Sequence, residues 1–207
     1  IFSGSIAFEV ATSFTNGDSK LQVQKGDKLT GTYIDPADDF GNEYTITDVA
    51  FYDVSLKSGT ISTNTTWAKA DSPFLVTGDV TVNSGKTLTI EAGSEVRFTP
   101  LSDDQSSGND NNRGELYVQG TLIANGTASD TIVFTSNAES PSSGDWYGIR
   151  LQDNNASGSF KYNNIAYATY GIRSYGLYGS NSDTTWITNN RIHHSGSGVY
   201  SYYSGRY

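Results

Sequence analysis

The chain has 207 residues, 17% of them charged and 35% hydrophobic, with a net charge of −9. An acidic chain of this kind is a poor partner for nucleic-acid phosphates, and no apolar run approaches the ~20 residues of a membrane-spanning helix. The absence of Cys excludes disulfides, Cys-zinc sites and thiol catalysis. Ser, Thr, Asn and Gly stand where Lys and Glu are usual, which favours strand and turn over helix. There is also no Met. The chain is therefore expected to have lost a leader or to be a piece of a longer protein. Its composition suits an extracellular or cell-surface location.

Residues 1–56 alternate with period two. Strands are predicted at 5–10, 21–23, 28–34 and 44–51, separated by Asn16-Gly17-Asp18, Lys25-Gly26-Asp27 and Asp35-Pro36, which carry turn chemistry. This predicts a small antiparallel sandwich, with fewer strands than the roughly seven of an immunoglobulin-like sandwich. One strand is therefore expected to be missing. The stretch LQVQKGDKLTGTYIDPADDFG resembles Ig-like modules of large prokaryotic surface proteins and of subtilisin-type protease extensions. The resemblance implies a fold and no chemistry.

From residue 57 onward the β-forming segments are only four or five residues long and are parted by Gly, Asn, Ser or Asp. Gly148-Ile149-Arg150 recurs 23 residues later as Gly171-Ile172-Arg173. A shift of 27 carries Asn163 to Asn190, Ile165 to Ile192 and Ser174 to Ser201. Thr87-Leu88-Thr89-Ile90 and 95–98 are echoed at 121–124 and 132–134, a shift of about 34–36 that reflects the Asp/Asn/Ser tract 102–112. Coils of this length with three short strands each predict a parallel β-helix over 57–207, with Ile90, Val118, Phe134, Ile149 and Ile172 pointing inward. The segments ending in EAGSEVRFTP, then GELYVQGTLIANGTASDTIVFTSN, then GDWYGIRLQD resemble the right-handed parallel β-helix family of pectin-lyase-like fold. The likeness is to its secreted repeat proteins rather than to its enzymes.

That fold carries polysaccharide lyases and hydrolases, whose chemistry rests on carboxylates and arginines. Asp145, Asp153 and Asp183 fall in turns rather than at equivalent strand positions. Arg150 and Arg173, on successive coils beside inward isoleucines, are expected to face outward. With Tyr147 and Tyr170 they form a candidate carbohydrate-binding set, stacked guanidiniums being suited to an anionic sugar. Solvated surface is the plainer alternative. His193-His194, as strand neighbours, are expected on opposite sides and so unable to share a metal. The oxygen-rich tract 102–112 reads as a solvated insertion. Asp35, Asp38 and Asp39 are candidate Ca²⁺ ligands at a loop tip, and no other cofactor is expected. Asn64, Asn125 and Asn155 begin Asn-X-Ser/Thr sequons.

Nine of the 14 Tyr lie in the last 46 residues, and an outward tyrosine surface can stack on sugars or on a partner protein. The first segment, with Ile1, Phe2, Ile6 and Phe8, and the last, with Tyr200 and Tyr202, are strand formers with no capping sequence beyond them. They are expected to add to neighbouring copies, head to tail in a filament, or to further domains of a longer protein. The leading expectation is thus a non-enzymatic extracellular surface or structural protein. The alternatives are a carbohydrate-binding or adhesive module and a polysaccharide lyase or hydrolase.

Overall fold

The computed structural model describes residues 7–10, 20–35, 44–152, 156–175 and 185–202. It contains two units, Ile1–Val54 and Ser55–Tyr207. In the first, β1 (Ala7–Val10) pairs with β2 (Lys20–Val23), and β3 (Lys28–Asp35) pairs with β4 (Tyr44–Phe51). The β3–β4 pair is antiparallel, in register from Lys28 opposite Phe51 to Asp35 opposite Tyr44. The β1–β2 pair is parallel, Ala7 lying opposite Lys20. This corrects the expectation of a wholly antiparallel unit. Period-two alternation is the same in both kinds of pairing, so it could not tell them apart. The Asn16-Gly17-Asp18 and Asp35-Pro36 turns reach outside the described residues.

The second unit is a parallel β-helix. Its strands are β5 (Ser55–Ile61), β6 (Thr65–Trp67), β7 (Phe74–Val82), β8 (Thr87–Ile90), β9 (Glu95–Phe98), β10 (Glu115–Val118), β11 (Thr121–Asn125) and β12 (Ile132–Ser136). There follow β13 (Trp146–Gln152), β14 (Ser157–Lys161), β15 (Asn163–Ala166), β16 (Ala168–Tyr175), β17 (Trp186–Thr188), β18 (Arg191–His193) and β19 (Ser197–Tyr202). They wind into three faces. Face A stacks the second half of β5, the second half of β7, β10, β13, β16 and β19. Face B stacks β6, β8, β11, β14 and β17. Face C stacks the first halves of β5 and β7, then β9, β12, β15 and β18. Strand β7 bends round the corner unbroken: Phe74–Val76 pair on face C and Val80–Val82 on face A.

Inward side chains are the aliphatic and aromatic ones of each alternation, and they pile along the axis. Ile90, Val118, Phe134, Ile149 and Ile172 are all buried, as expected. Phe98 and Trp146 stack with ring centres 3.9 Å apart and planes 8° from parallel. The 27-residue repeat is the true register, Ile165 lying opposite Ile192 and Ser174 opposite Ser201.

Two details differ from the sequence reading. The early coils are offset by 34 residues on face B, 36 on face A and 38 on face C, where Thr121 meets Thr87, Leu116 meets Val80 and Phe134 meets Val96. And although Ile149 and Arg150 do meet Ile172 and Arg173, Gly148 lies opposite Tyr170, across a bulge. Gly148 has φ +139°, and a Cβ there would come 2.0 Å from the Tyr170 carbonyl oxygen. Only glycine fits that kink.

Candidate functional site

On the outer side of face A, strand register builds a column of Thr81, Tyr117, Arg150, Arg173 and Tyr200. Beside it, at the corner where face C turns into face A, stand Asp79 and Glu115. Asp79 is 2% exposed, Glu115 0% and Arg150 5%. The Arg150 guanidinium donates from Nε and Nη2 to the two Glu115 carboxylate oxygens, at 2.8 and 2.5 Å, and from Nη1 to Gln152. It also lies 3.9 Å from the centre of the Tyr117 ring. The backbone N–H of Glu115 donates to Asp79 Oδ1 at 2.9 Å.

Most of the tract 102–112 is solvent-exposed, as expected, but it is also tied down on this cluster. Ser107 Oγ donates to Asp79 Oδ2 at 2.8 Å, and Asn109 N–H donates to Glu115 Oε1 at 3.1 Å. Asp103 ties the loop to β7 and to itself, accepting from the N–H groups of Asp79, Gln105 and Ser107. Gly108 sits so close that a Cβ would lie 2.3 Å from both Asp79 Oδ2 and Glu115 Oε1. Arg150 does project from the outer side, as expected, but Glu115, Gln152 and the Tyr117 ring take it out of solvent. As the partner of Glu115 it is no longer one half of a paired guanidinium clamp.

Arg173, one coil on, has a different setting. It donates to the Tyr147 hydroxyl, which also accepts from Asn109 Nδ2 at 2.7 Å. Its guanidinium carbon lies 5.8, 5.0 and 5.8 Å from the ring centres of Tyr147, Tyr170 and Tyr200. The rings follow one another at 5.6 Å from Tyr147 to Tyr170 and 5.3 Å from Tyr170 to Tyr200. Tyr147 is nearly buried, whereas Tyr200 and Tyr202 are exposed. So of the four residues proposed for sugar binding, Tyr170 and Arg173 meet at a partly open surface, and Tyr147 and Arg150 lie beneath it.

Asp145 is buried in its turn, accepting from Ser142 N–H, and Asp153 and Asp183 lie outside the described residues. So do Asp38, Asp39, Asn155, Ile1, Phe2 and Ile6, while Asp35 ends β3 and Phe8 lies on β1. Among the described residues no group of three or more His, Asp or Glu is placed to share a metal ion. Asn64 and Asn125 are exposed, their side-chain oxygens accepting from Thr87 N–H and Ser159 Oγ. The expectation that His193 and His194 face apart is overturned. Strand β18 stops at His193, and His194 has φ +50°, so the two rings turn toward each other.

Asp79 and Glu115 were not singled out from the sequence. The signal was present: Gly78-Asp79-Val80 and Gly114-Glu115-Leu116 repeat a glycine–acid–aliphatic triplet at the face A offset. Burial, with Glu115 adding like charge, pushes the Asp79 carboxyl up to about 6 from its ordinary 3.8, against the hydrogen bond from Ser107. A raised carboxyl binds its proton more tightly in the folded chain. It therefore subtracts stability as pH rises from about 4 through 6, by ~3 kcal/mol at most. Asp79→Asn, which keeps an acceptor for Glu115 N–H, is expected to raise the urea midpoint at pH 7.5 and to flatten its dependence between pH 4 and 7.5. An unchanged pH slope would refute this assignment.

A profile of pectate-lyase like beta helix domains matches residues 59–201. The chain belongs to that family. Searches against curated proteins and against solved structures returned no match. The match begins inside β5 and ends inside β19, so it spans the three-faced helix and includes the Asp79–Glu115–Arg150 cluster. No helix among the described residues is long and apolar enough to cross a membrane.

Proposed function

We propose that this β-helix is an extracellular, non-catalytic module that holds a polysaccharide along the open part of face A. The observation that carries the reading is the outward set Tyr170, Arg173 and Tyr200, rings and guanidinium 5.0–5.8 Å apart, partly open to solvent. Aromatic faces stack on the apolar faces of sugar rings, and a guanidinium held among them can donate to hydroxyl or carboxylate oxygens. The nearby acids support a non-catalytic role because they are engaged with Arg150, Ser107 and backbone N–H groups under a folded loop. The typical extracellular setting of pectate-lyase-like domains supports the location. In the same reading unit 1 is an Ig-like spacer, supported by its long β3–β4 pair.

Titration calorimetry against soluble neutral glycans and against pectate and alginate tests the proposal. Tyr170→Ala and Tyr200→Ala are each expected to weaken binding about 3- to 10-fold, the loss of one aromatic contact. Affinity indifferent to both substitutions would sink it.

One observation favours a second reading, a polysaccharide lyase or hydrolase. A carboxyl raised to about 6 beside a second acid and an arginine is suited to general acid–base work. The same incubations, read for unsaturated product or new reducing ends, separate the two. Turnover that Asp79→Asn abolishes would replace the non-catalytic proposal.

A further inference from the structure

His193 Nδ1 and His194 Nδ1 lie 2.5 Å apart, on the outer surface after β18. Three features build this juxtaposition. The left-handed backbone at His194, φ +50°, is a conformation that a residue with a Cβ adopts at a cost. It brings the second ring round to the side of the first. Asn164, on the preceding coil, holds His193 from behind: its Oδ1 is 2.9 Å from His193 Nε2. That bond requires the proton on Nε2, which leaves the Nδ1 lone pair directed at His194. Tyr167, also from the preceding coil, stacks on His194 with centroids 5.4 Å apart and meets His193 edge-on at 6.3 Å.

A short contact between two ring nitrogens requires one proton between them, on His194 Nδ1, since His193 carries its own on Nε2. Moving that proton to His194 Nε2, on an exposed ring, leaves two lone pairs converging on one point. No proton is gained or lost overall. With metal–nitrogen bonds of ~2.0 Å, adjacent ligands of a square-planar ion stand ~2.8 Å apart, whereas those of a tetrahedral ion stand ~3.3 Å apart. The observed spacing is nearer the first, so a small ring rotation completes a cis pair for a tetragonal ion.

We propose that His193 and His194 form a two-imidazole site for a tetragonal divalent transition metal, Cu²⁺ before Ni²⁺ and Zn²⁺, with water completing the coordination. Asn164 is a positioning residue for it. The order follows from the intrinsic preference of nitrogen sites for Cu²⁺ and from the narrow bite. The site is independent of the Tyr170–Arg173–Tyr200 surface and of any activity.

The experiment uses the untagged chain, whose two His and absent Cys make imidazole coordination diagnostic of this pair. Cu²⁺ is titrated and followed by electron paramagnetic resonance and by tyrosine fluorescence. The expected result is one Cu²⁺ per chain with coupling to two imidazole nitrogens. His194→Gln should leave one such nitrogen, and Asn164→Ala should keep both while weakening affinity about 10- to 100-fold. Copper bound without imidazole coupling would overturn the proposal. So would stoichiometry and affinity preserved in the His193→Gln/His194→Gln double variant, which would put the ion on carboxylates or the amino terminus.

Discussion

Replacing Glu115 by Ala is expected to destabilise the β-helix by ~3–5 kcal/mol, because it strands the buried Arg150 cation. Arg150 cannot shed its proton, and no other carboxylate contacts its guanidinium among the described residues. The loop above would lose its hold as well, since Asn109 N–H donates to the same carboxylate. The cost belongs to the unpaired charge rather than to the pair. Glu115→Leu combined with Arg150→Met should therefore recover most of the stability, buried ion pairs being close to neutral against well-packed apolar side chains. Urea denaturation of Glu115→Leu, Arg150→Met and their combination measures the cycle. A Glu115→Ala cost below ~1 kcal/mol, the size of an exposed pair, would show that solvent reaches Arg150.

The second large effect lies inside the helix. Trp146 is fully buried, stacks on Phe98 and donates from Nε1 to the Ala166 carbonyl at 2.9 Å. Truncation to Ala removes the largest fully buried side chain and is expected to cost ~3–5 kcal/mol. Trp146→Phe keeps an aromatic ring against Phe98 but leaves the Ala166 oxygen unbonded, at ~1–3 kcal/mol. The difference between the two separates packing from hydrogen bonding. Equal costs would mean that the indole N–H dominates and that the stack contributes little.

The core was legible because inward and outward residues alternate along most of the short strands, as in β8, β9, β11 and β12, and successive coils repeat the alternation. Ile90, Phe134 and Ile149 could be named without any knowledge of which coil each would meet. The polar cluster was far less legible. Asp79, Glu115 and Arg150 are separated by 36 and 35 residues, and only axial stacking makes them neighbours. The Gly-Asp-Val and Gly-Glu-Leu triplets hinted at the first pairing. Nothing in the tract 102–112 said that it would fold down rather than point away, because Asp, Ser and Asn serve a solvated loop and a hydrogen-bonded cap equally well. His194 was illegible for a related reason. Neighbours face apart only while the strand lasts, and the strand ends one residue too early for that rule.

The unequal offsets of 34, 36 and 38 residues between the same two coils mean that their corners differ in length, the turn from face A to face B being two residues shorter in the second coil and that from face B to face C four longer. Between β10 and β11 the path is tight: Gly120 is so hemmed in that a Cβ would lie 2.2 Å from the Lys86 oxygen and 2.4 Å from the Asn83 oxygen. From face C to face A the chain makes long excursions in two coils, 99–114 and 137–145, while only Tyr167 lies at that corner in the next. Arg113 Nε donates across these two excursions to the Gly144 carbonyl at 2.7 Å. The corner from face A to face B widens elsewhere, through 176–185 between β16 and β17. Insertions, deletions and new loops can therefore be taken up at any of the corners without shifting the register within a face. Excursions on neighbouring coils meet one another as well as the strands they overlie, so the outer surface can be rebuilt at the corners while the stack beneath it stays as it is.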